Sequence, residues 1–334
     1  MSPLSPALPI IDPAPYLSTS SGPAQVSAKA ATAKAIHEAC RDIGFFYIRV
    51  PDDFLSDHET KEVLELGREF FHRPEEEKMR IRLEESDNVR GYQKLHQNVT
   101  QGKADHHEGL DLYAPSPYPA TSSNNGLALR PLEGPNQWPT NPPSFKPRME
   151  EWIDKMKVLG LAVMHAMADG LDMDEAEWKE LEGCVDDSFW VMRVIGYPPL
   201  PQGMDGISCG EHKDYGCLTL LHADPIPDSL QVLSKSGEWI SANPLPGCLV
   251  VNIGEMWQIW TGGLYPATLH RVVHKSPTYR VSVPFFFEPN FDCRVKFLEA
   301  AKIKIAKEGR EAEPVEEVVY GDFLLGKVSG NFKY

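Results

Sequence analysis

The chain has 334 residues, 42% hydrophobic and 24% charged, and its 48 Asp and Glu against 33 Lys and Arg leave a formal net charge of −15. That charge repels nucleic-acid phosphates and anionic lipid headgroups, and no Lys/Arg-rich block overrides it, so neither class of partner is expected. No window approaches the ~18 consecutive apolar residues of a membrane span, the Pro-rich start lacks a signal pattern, and six scattered cysteines without a Cys-x-x-Cys pair fit reduced thiols. The expected setting is cytoplasmic.

In chain order, residues 8–12 (Leu-Pro-Ile-Ile-Asp) read as a short extended segment. The Ala-rich run 26–41 reads as a helix, stopped by Gly44 before a strand over 45–50. Helices are expected over 60–72 and 75–82. Residues 113–143, crowded with Pro, Ser, Asn and Gly, read as a long loop, a candidate lid. Residues 145–171 carry Met149, Trp152, Ile153, Met156 and Leu159 at helical spacing and should form the longest amphipathic helix. Asp172-Met173-Asp174 lacks the Gly and spacing of a calcium loop and reads as a helix start.

Beyond Ser188 short β-branched and aromatic runs alternate with turn residues, predicting strands over 189–197, 217–222, 230–233, 248–253, 268–273 and 279–287. Helices return over 295–306 and 315–328. The expected fold class is α+β: a jelly-roll core flanked by N-terminal and C-terminal helices. One unit should span 1–334, mostly helical over 1–180, with a β-core over 188–290 and C-terminal helices over 291–334.

The chemistry concentrates around His212-Lys213-Asp214. In an extended segment residues two apart share a face, so His212 and Asp214 aim an imidazole and a carboxylate at one point. A third candidate, His270, lies 56 positions beyond Asp214 on a separate predicted strand. Two imidazoles and one carboxylate on one triangular face of an octahedral ion leave three positions open, which suits Fe(II) reacting with O2 and a chelating co-substrate. His274 shares the strand face of His270, so spacing alone leaves both open; His106, His107 and His222 have no comparable carboxylate context. Arg280 and Ser282, again two apart, place a guanidinium beside a hydroxyl, a combination suited to gripping a carboxylate. By the same period, Phe286 should face the cavity while Val281, Val283, Phe285 and Phe287 face the packing layer.

These segments, in order with Leu8-Pro9-Ile10-Ile11-Asp12, Gly44-Phe45-Phe46-Tyr47, Arg90-Gly91-Tyr92, Tyr197-Pro198-Pro199, Val251-Asn252-Ile253-Gly254-Glu255-Met256 and Phe287-Glu288-Pro289-Asn290, resemble the 2-oxoglutarate/Fe(II)-dependent dioxygenases of the isopenicillin N synthase-like class. The resemblance spans nearly the whole chain. It implies a double-stranded β-helix in which His212, Asp214 and His270, rather than His274, hold Fe(II), and Arg280, Ser282 and Tyr197 bind the distal carboxylate of 2-oxoglutarate. Many plant members carry Asn two residues before this Tyr; here Ile195 stands there, and Arg193, in an Arg-x-x-x-Tyr-Pro pattern, is assigned to the co-substrate instead. Residues 105–113 resemble the cavity-mouth segment, which makes Glu108 and Leu110 substrate candidates beside Phe286. The expected activity is oxidation, by default hydroxylation, of a small organic molecule with release of succinate and CO2. The rivals are a family oxidase that does not use 2-oxoglutarate and a non-catalytic binding module.

Overall fold

The computed structural model describes residues 8–83, 89–100, 102–115, 132, 134–201, 203 and 206–331. Strand β1 (Ile10–Ile11) and the short helix α1 (Ala14–Leu17) precede α2 (Pro23–Asp42), β2 (Phe45–Arg49), α3 (Asp57–Phe71) and α4 (Glu75–Lys78). Four strands follow, β3 (Gly91–Gln93), β4 (Val99–Thr100), β5 (Lys103–Ala104) and β6 (Glu108–Tyr113), and then α5 (Phe145–Gly170) and α6 (Glu175–Glu182). The core strands are β7 (Val191–Tyr197), β8 (Ile207–His212), β9 (Leu218–Ala223), β10 (Leu230–Leu233), β11 (Trp239–Ser241) and β12 (Cys248–Ile253). After α7 (Glu255–Trp260) come β13 (His270–Val273), β14 (Arg280–Phe287), β15 (Arg294–Val295), α8 (Glu299–Lys307), β16 (Val318–Val319) and α9 (Tyr320–Asn331).

Two sheets build the jelly roll: eight strands in the order β1-β2-β12-β9-β14-β7-β6-β3, and four in the order β11-β10-β13-β8. Strand periodicity separates their faces. Phe46 and Ile48 of β2 join the main core under the helices, whereas Phe45 and Tyr47 join a smaller cluster with Leu230, Val232 and Ile240 of the second sheet. Val281, Val283, Phe285 and Phe287 likewise pack outward into the main core. The spine helix α5 approaches closely enough that a Cβ at Gly160 would lie 2.5 Å from the Phe287 ring, so that crossing needs glycine.

Several expected boundaries shift. The helix anticipated from residue 60 starts at Asp57, because Ser56 and Glu59 form a reciprocal capping box. Residues 75–82 split into α4 and a 3-10 turn at Met79–Ile81. Asp174 caps α6 as expected, accepting from the Glu177 amide at 2.9 Å. The N-terminal part is less separate than expected, since β1, β2, β3 and β6 complete the large sheet. In the C-terminal part, short strands β15 and β16 pair ahead of α8 and α9 respectively. Most of the anticipated 113–143 loop lies outside the described residues.

Candidate metal centre and its cavities

His212 ends β8 and His270 opens β13; the two are directly paired across the strands. Asp214 lies just past the end of β8, in a turn held by the start of α7. The amides of Gly254, Glu255 and Met256 donate to the carbonyls of Cys217, Asp214 and Gly216 at 2.9, 2.9 and 3.1 Å. This contact explains Gly254: a Cβ there would sit 2.2 Å from the Gly216 carbonyl oxygen, and backbone cannot move aside cheaply.

One ligand atom from each of His212, Asp214 and His270 falls within 4.8 Å of the others, the one such cluster among the described residues. Asp214 Oδ1 lies 3.7 Å from His212 Nε2 and 3.6 Å from His270 Nε2. These separations are too long for hydrogen bonds yet short enough for one cation, roughly 2.1 Å from each atom, to bridge. The remaining polar atoms are committed elsewhere. Nδ1 of His212 faces the Gly210 carbonyl at 2.8 Å and Nδ1 of His270 faces the Thr268 carbonyl at 3.1 Å, so Nε2 is the nitrogen each ring turns to Asp214. Asp214 Oδ2 accepts from Asn252 Nδ2 at 2.6 Å and from the Thr219 hydroxyl, so Oδ1 is the oxygen left over. Burial and the neighbouring His212 lower the His270 pKa to about 4. At His212 burial also disfavours protonation, but Cys209 and the Asp214 carboxylate outweigh it and raise the value to about 10.

His274 is not in the cluster. It is fully buried, with Nε2 against the Thr278 carbonyl at 2.9 Å. The His107 imidazole is held between the Ser208 carbonyl and Asn98, and His222 faces the Thr60 carbonyl.

Arg280 and Ser282 point into the barrel, each at most 2% exposed. Arg280 pairs across the strands with Tyr197, and its guanidinium carbon lies 4.8 Å from the Tyr197 ring. The Ser282 hydroxyl lies against the Tyr197 phenol. Arg280 Nε and Nη1 are buried without a partner. An unpaired buried guanidinium is costly, and a carboxylate is the group that would satisfy it.

Two cavities follow one another along the interior. The first, about 290 Å³, is lined by His212, Asp214, Arg193, Phe286, Glu288 and Tyr320, among others. The second, about 340 Å³, is walled by Leu221, Ala223, Val250 and Arg280 towards the other end. Thr219, which holds Asp214, and Leu221 and Ala223 are alternate residues of β9, so the cavities are successive levels of one barrel.

Phe286 therefore lies where the strand period puts it. Glu108 and Leu110 do not. Leu110 is fully buried in the main core, and Glu108 accepts from Lys78 at 2.6 Å, Tyr92 at 2.5 Å and Tyr279 at 2.8 Å, away from both cavities. The alternate face of β6 supplies Asp111 and Tyr113 to the first cavity instead. Arg193 is also not beside Arg280. It lies four residues, about 13 Å of strand, from Tyr197 and lines the first cavity, where its Nε donates to Asp111 at 2.7 Å. Glu288 was legible but unread: it continues the Ser282, Pro284, Phe286 row by one more step of two. Tyr320, from a distant helix, left no local signal.

Comparison with known proteins agrees with this architecture. Residues 8–141 match the profile of the non-haem dioxygenase in morphine synthesis N-terminal family, and 187–289 that of the 2OG-Fe(II) oxygenase superfamily. The chain is 40% identical to Homoarginine-6-hydroxylase 2-ODD-C23 of Glycine max, covering 98% of this chain and 97% of that one. It is 33% identical to the 2-oxoglutarate-Fe(II) type oxidoreductase hxnY of Emericella nidulans, covering 87% and 82%. The crystal structure of a full-length Neurospora crassa protein in complex with alpha-KG superposes with a TM-score of 0.78 at 25% identity over 96% of each chain. The chain therefore belongs to the 2-oxoglutarate/Fe(II)-dependent dioxygenases, enzymes that use Fe(II), 2-oxoglutarate and O2, and its activity is oxidation of a small organic molecule.

Proposed function

We propose that His212, Asp214 and His270 hold the Fe(II), that Arg280, Ser282 and Tyr197 bind the distal carboxylate of 2-oxoglutarate, and that the substrate is a small amino acid with a guanidinium side chain. The observation that carries the site assignment is the convergence of three ligand atoms from β8, the following turn and β13. The substrate class rests on relatives at about 40% identity over nearly the full length, named for homoarginine, from Glycine max and Arabidopsis thaliana.

The overall reaction balances as substrate C–H plus O2 plus 2-oxoglutarate giving C–OH, succinate and CO2. Bound Fe(II) would supply the activation of O2, which is the oxidant for both 2-oxoglutarate and the substrate C–H bond. The chain's own residues do the positioning. The Gly210 and Thr268 carbonyls fix both imidazole tautomers, and Asn252 and Thr219 hold the carboxylate so that Oδ1 faces the ion. Arg280, with two unpartnered nitrogens, orients the co-substrate from its far end. Phe286, Val191, Leu324 and Val328 supply apolar surface to the first cavity, against which the substrate's carbon chain can pack. Arg193 moves from the co-substrate to the substrate: fixed by Asp111, its guanidinium is available to the amino acid's carboxylate.

The test is succinate release from 2-oxoglutarate with Fe(II), with and without L-homoarginine. Stimulated release supports the reading. Release stimulated only by uncharged molecules overturns the substrate class, and oxidation without consumption of 2-oxoglutarate favours the oxidase rival. The described cysteines are all free, which supports a reducing, cytoplasmic setting; no described helix is long and apolar enough to cross a membrane.

A further inference from the structure

Four carboxylates other than the metal ligand line the first cavity: Asp105, Asp111, Glu211 and Glu288. Three are already engaged. Asp105 accepts from the Thr100 hydroxyl at 2.7 Å and the Gly210 amide at 3.1 Å. Asp111 accepts from Arg193 at 2.7 Å and Gln93 at 2.8 Å. Glu211 accepts from Arg271 at 3.1 Å. Glu288 differs, for it is 95% buried and its Oε2 has no partner. The Tyr320 hydroxyl and the Cys217 amide approach this carboxylate and favour its ionised form, but Oε2 itself is left without a hydrogen bond.

The position is built. A Cβ at residue 216 would fall 1.1 Å from Glu288 Oε2, so Gly216 makes room for the carboxylate in the turn that carries Asp214. Phe286, two residues earlier in the same row, lines the same cavity. A buried carboxylate sharing a cavity wall with an aromatic ring is a receptor for a flat, delocalised cation: the oxygens accept its N–H donors and the ring face takes its charge.

We propose that Glu288 is the residue that selects for positive charge in the substrate, its carboxylate receiving the guanidinium of the amino acid while Phe286 packs against it. The inference rests on the functional reading above and names the specificity determinant of that site. It also accounts for an otherwise costly feature, a buried acid with an unsatisfied oxygen. Burial pushes its pKa up to about 8, the Tyr320 hydroxyl and the Cys217 amide pulling the other way and the Asp214 charge adding to the rise. A seated cation would restore the ionised form and complete the hydrogen bonding.

The experiment compares kcat/KM for L-homoarginine and for its uncharged ureido isostere, L-homocitrulline, in the wild type, Glu288→Gln and Glu288→Asp. The wild type should prefer homoarginine by about 100-fold or more, since the isostere leaves the buried carboxylate without its charged partner. Glu288→Gln should bring the two substrates within about tenfold, and Glu288→Asp, which keeps the charge, should retain a clear preference. An unchanged preference in Glu288→Gln, or an equal loss on both substrates in both variants, overturns the inference while homoarginine turnover by the wild type still stands. A wild type that turns over both substrates equally overturns it too. A wild type inactive on homoarginine shows instead that the functional reading has failed, and the inference falls with it.

Discussion

The most instructive perturbation is Asn252→Ala, because it leaves all three candidate ligands in place. Asn252 is 3% exposed and donates to Asp214 Oδ2 at 2.6 Å; the Thr219 hydroxyl is the other donor. Removing the amide deletes a hydrogen bond to a charged group, worth about 1.5–3 kcal/mol, and frees the carboxylate to rotate before metal arrives. Losing one such outer partner of a metal ligand typically weakens binding by about 10–100-fold, or about 1.4–2.7 kcal/mol. The fold should survive, since the backbone of β12 remains paired on both edges, to β2 and to β9. Anaerobic calorimetric titration with Fe(II) at saturating 2-oxoglutarate measures the effect. We expect a Kd raised within that range, with the added variant Thr219→Val weakening binding further. An Fe(II) affinity unchanged in Asn252→Ala, or as low as in Asp214→Ala, would refute the assignment of Oδ2 to the support and Oδ1 to the metal.

Other expectations follow from the same geometry. Gly254→Ala places a Cβ 2.2 Å from the Gly216 carbonyl; overpacking of this kind costs about 2 kcal/mol, and thermal melting should show a Tm lower by about 3 °C. Arg280→Lys keeps the charge but loses the planar fork, so the KM for 2-oxoglutarate should rise roughly 10–100-fold in a succinate assay; an unaltered KM would remove Arg280 from the co-substrate site. Because the His212 pKa is raised to about 10, that imidazole carries a proton at neutral pH that the metal must displace. Fe(II) affinity should therefore fall as pH falls, about tenfold per unit between about pH 8 and 6, and pH-independent titrations would contradict this.

Much of the site was legible because strand geometry repeats every two residues. Phe286, Ser282 and Arg280 share the inward face of β14, while the residues between them pack outward. At β6 Glu108 and Leu110 rested on resemblance alone, and because all six residues of the strand are buried no polar face marks which side meets the cavity. Glu108 looked like a cavity acid, but its charge is met by Lys78, which arrives from α4 through a contact no local pattern records. Strand β8, which delivers His212, escaped prediction because Ile-Ser-Cys-Gly-Glu-His has weak strand propensity and its pairing with β13 contains irregular register steps. The second cavity was equally invisible, since α3, the 244–247 turn and the interior of β9 meet only in three dimensions.

The central assignment is most directly tested by X-ray absorption at the iron edge of the Fe(II)- and 2-oxoglutarate-loaded protein. We predict two imidazole ligands in the wild type, one of them lost in His270→Ala but both retained in His274→Ala. A spectrum with no imidazole scattering, or one altered by His274→Ala and indifferent to His270→Ala, would contradict it.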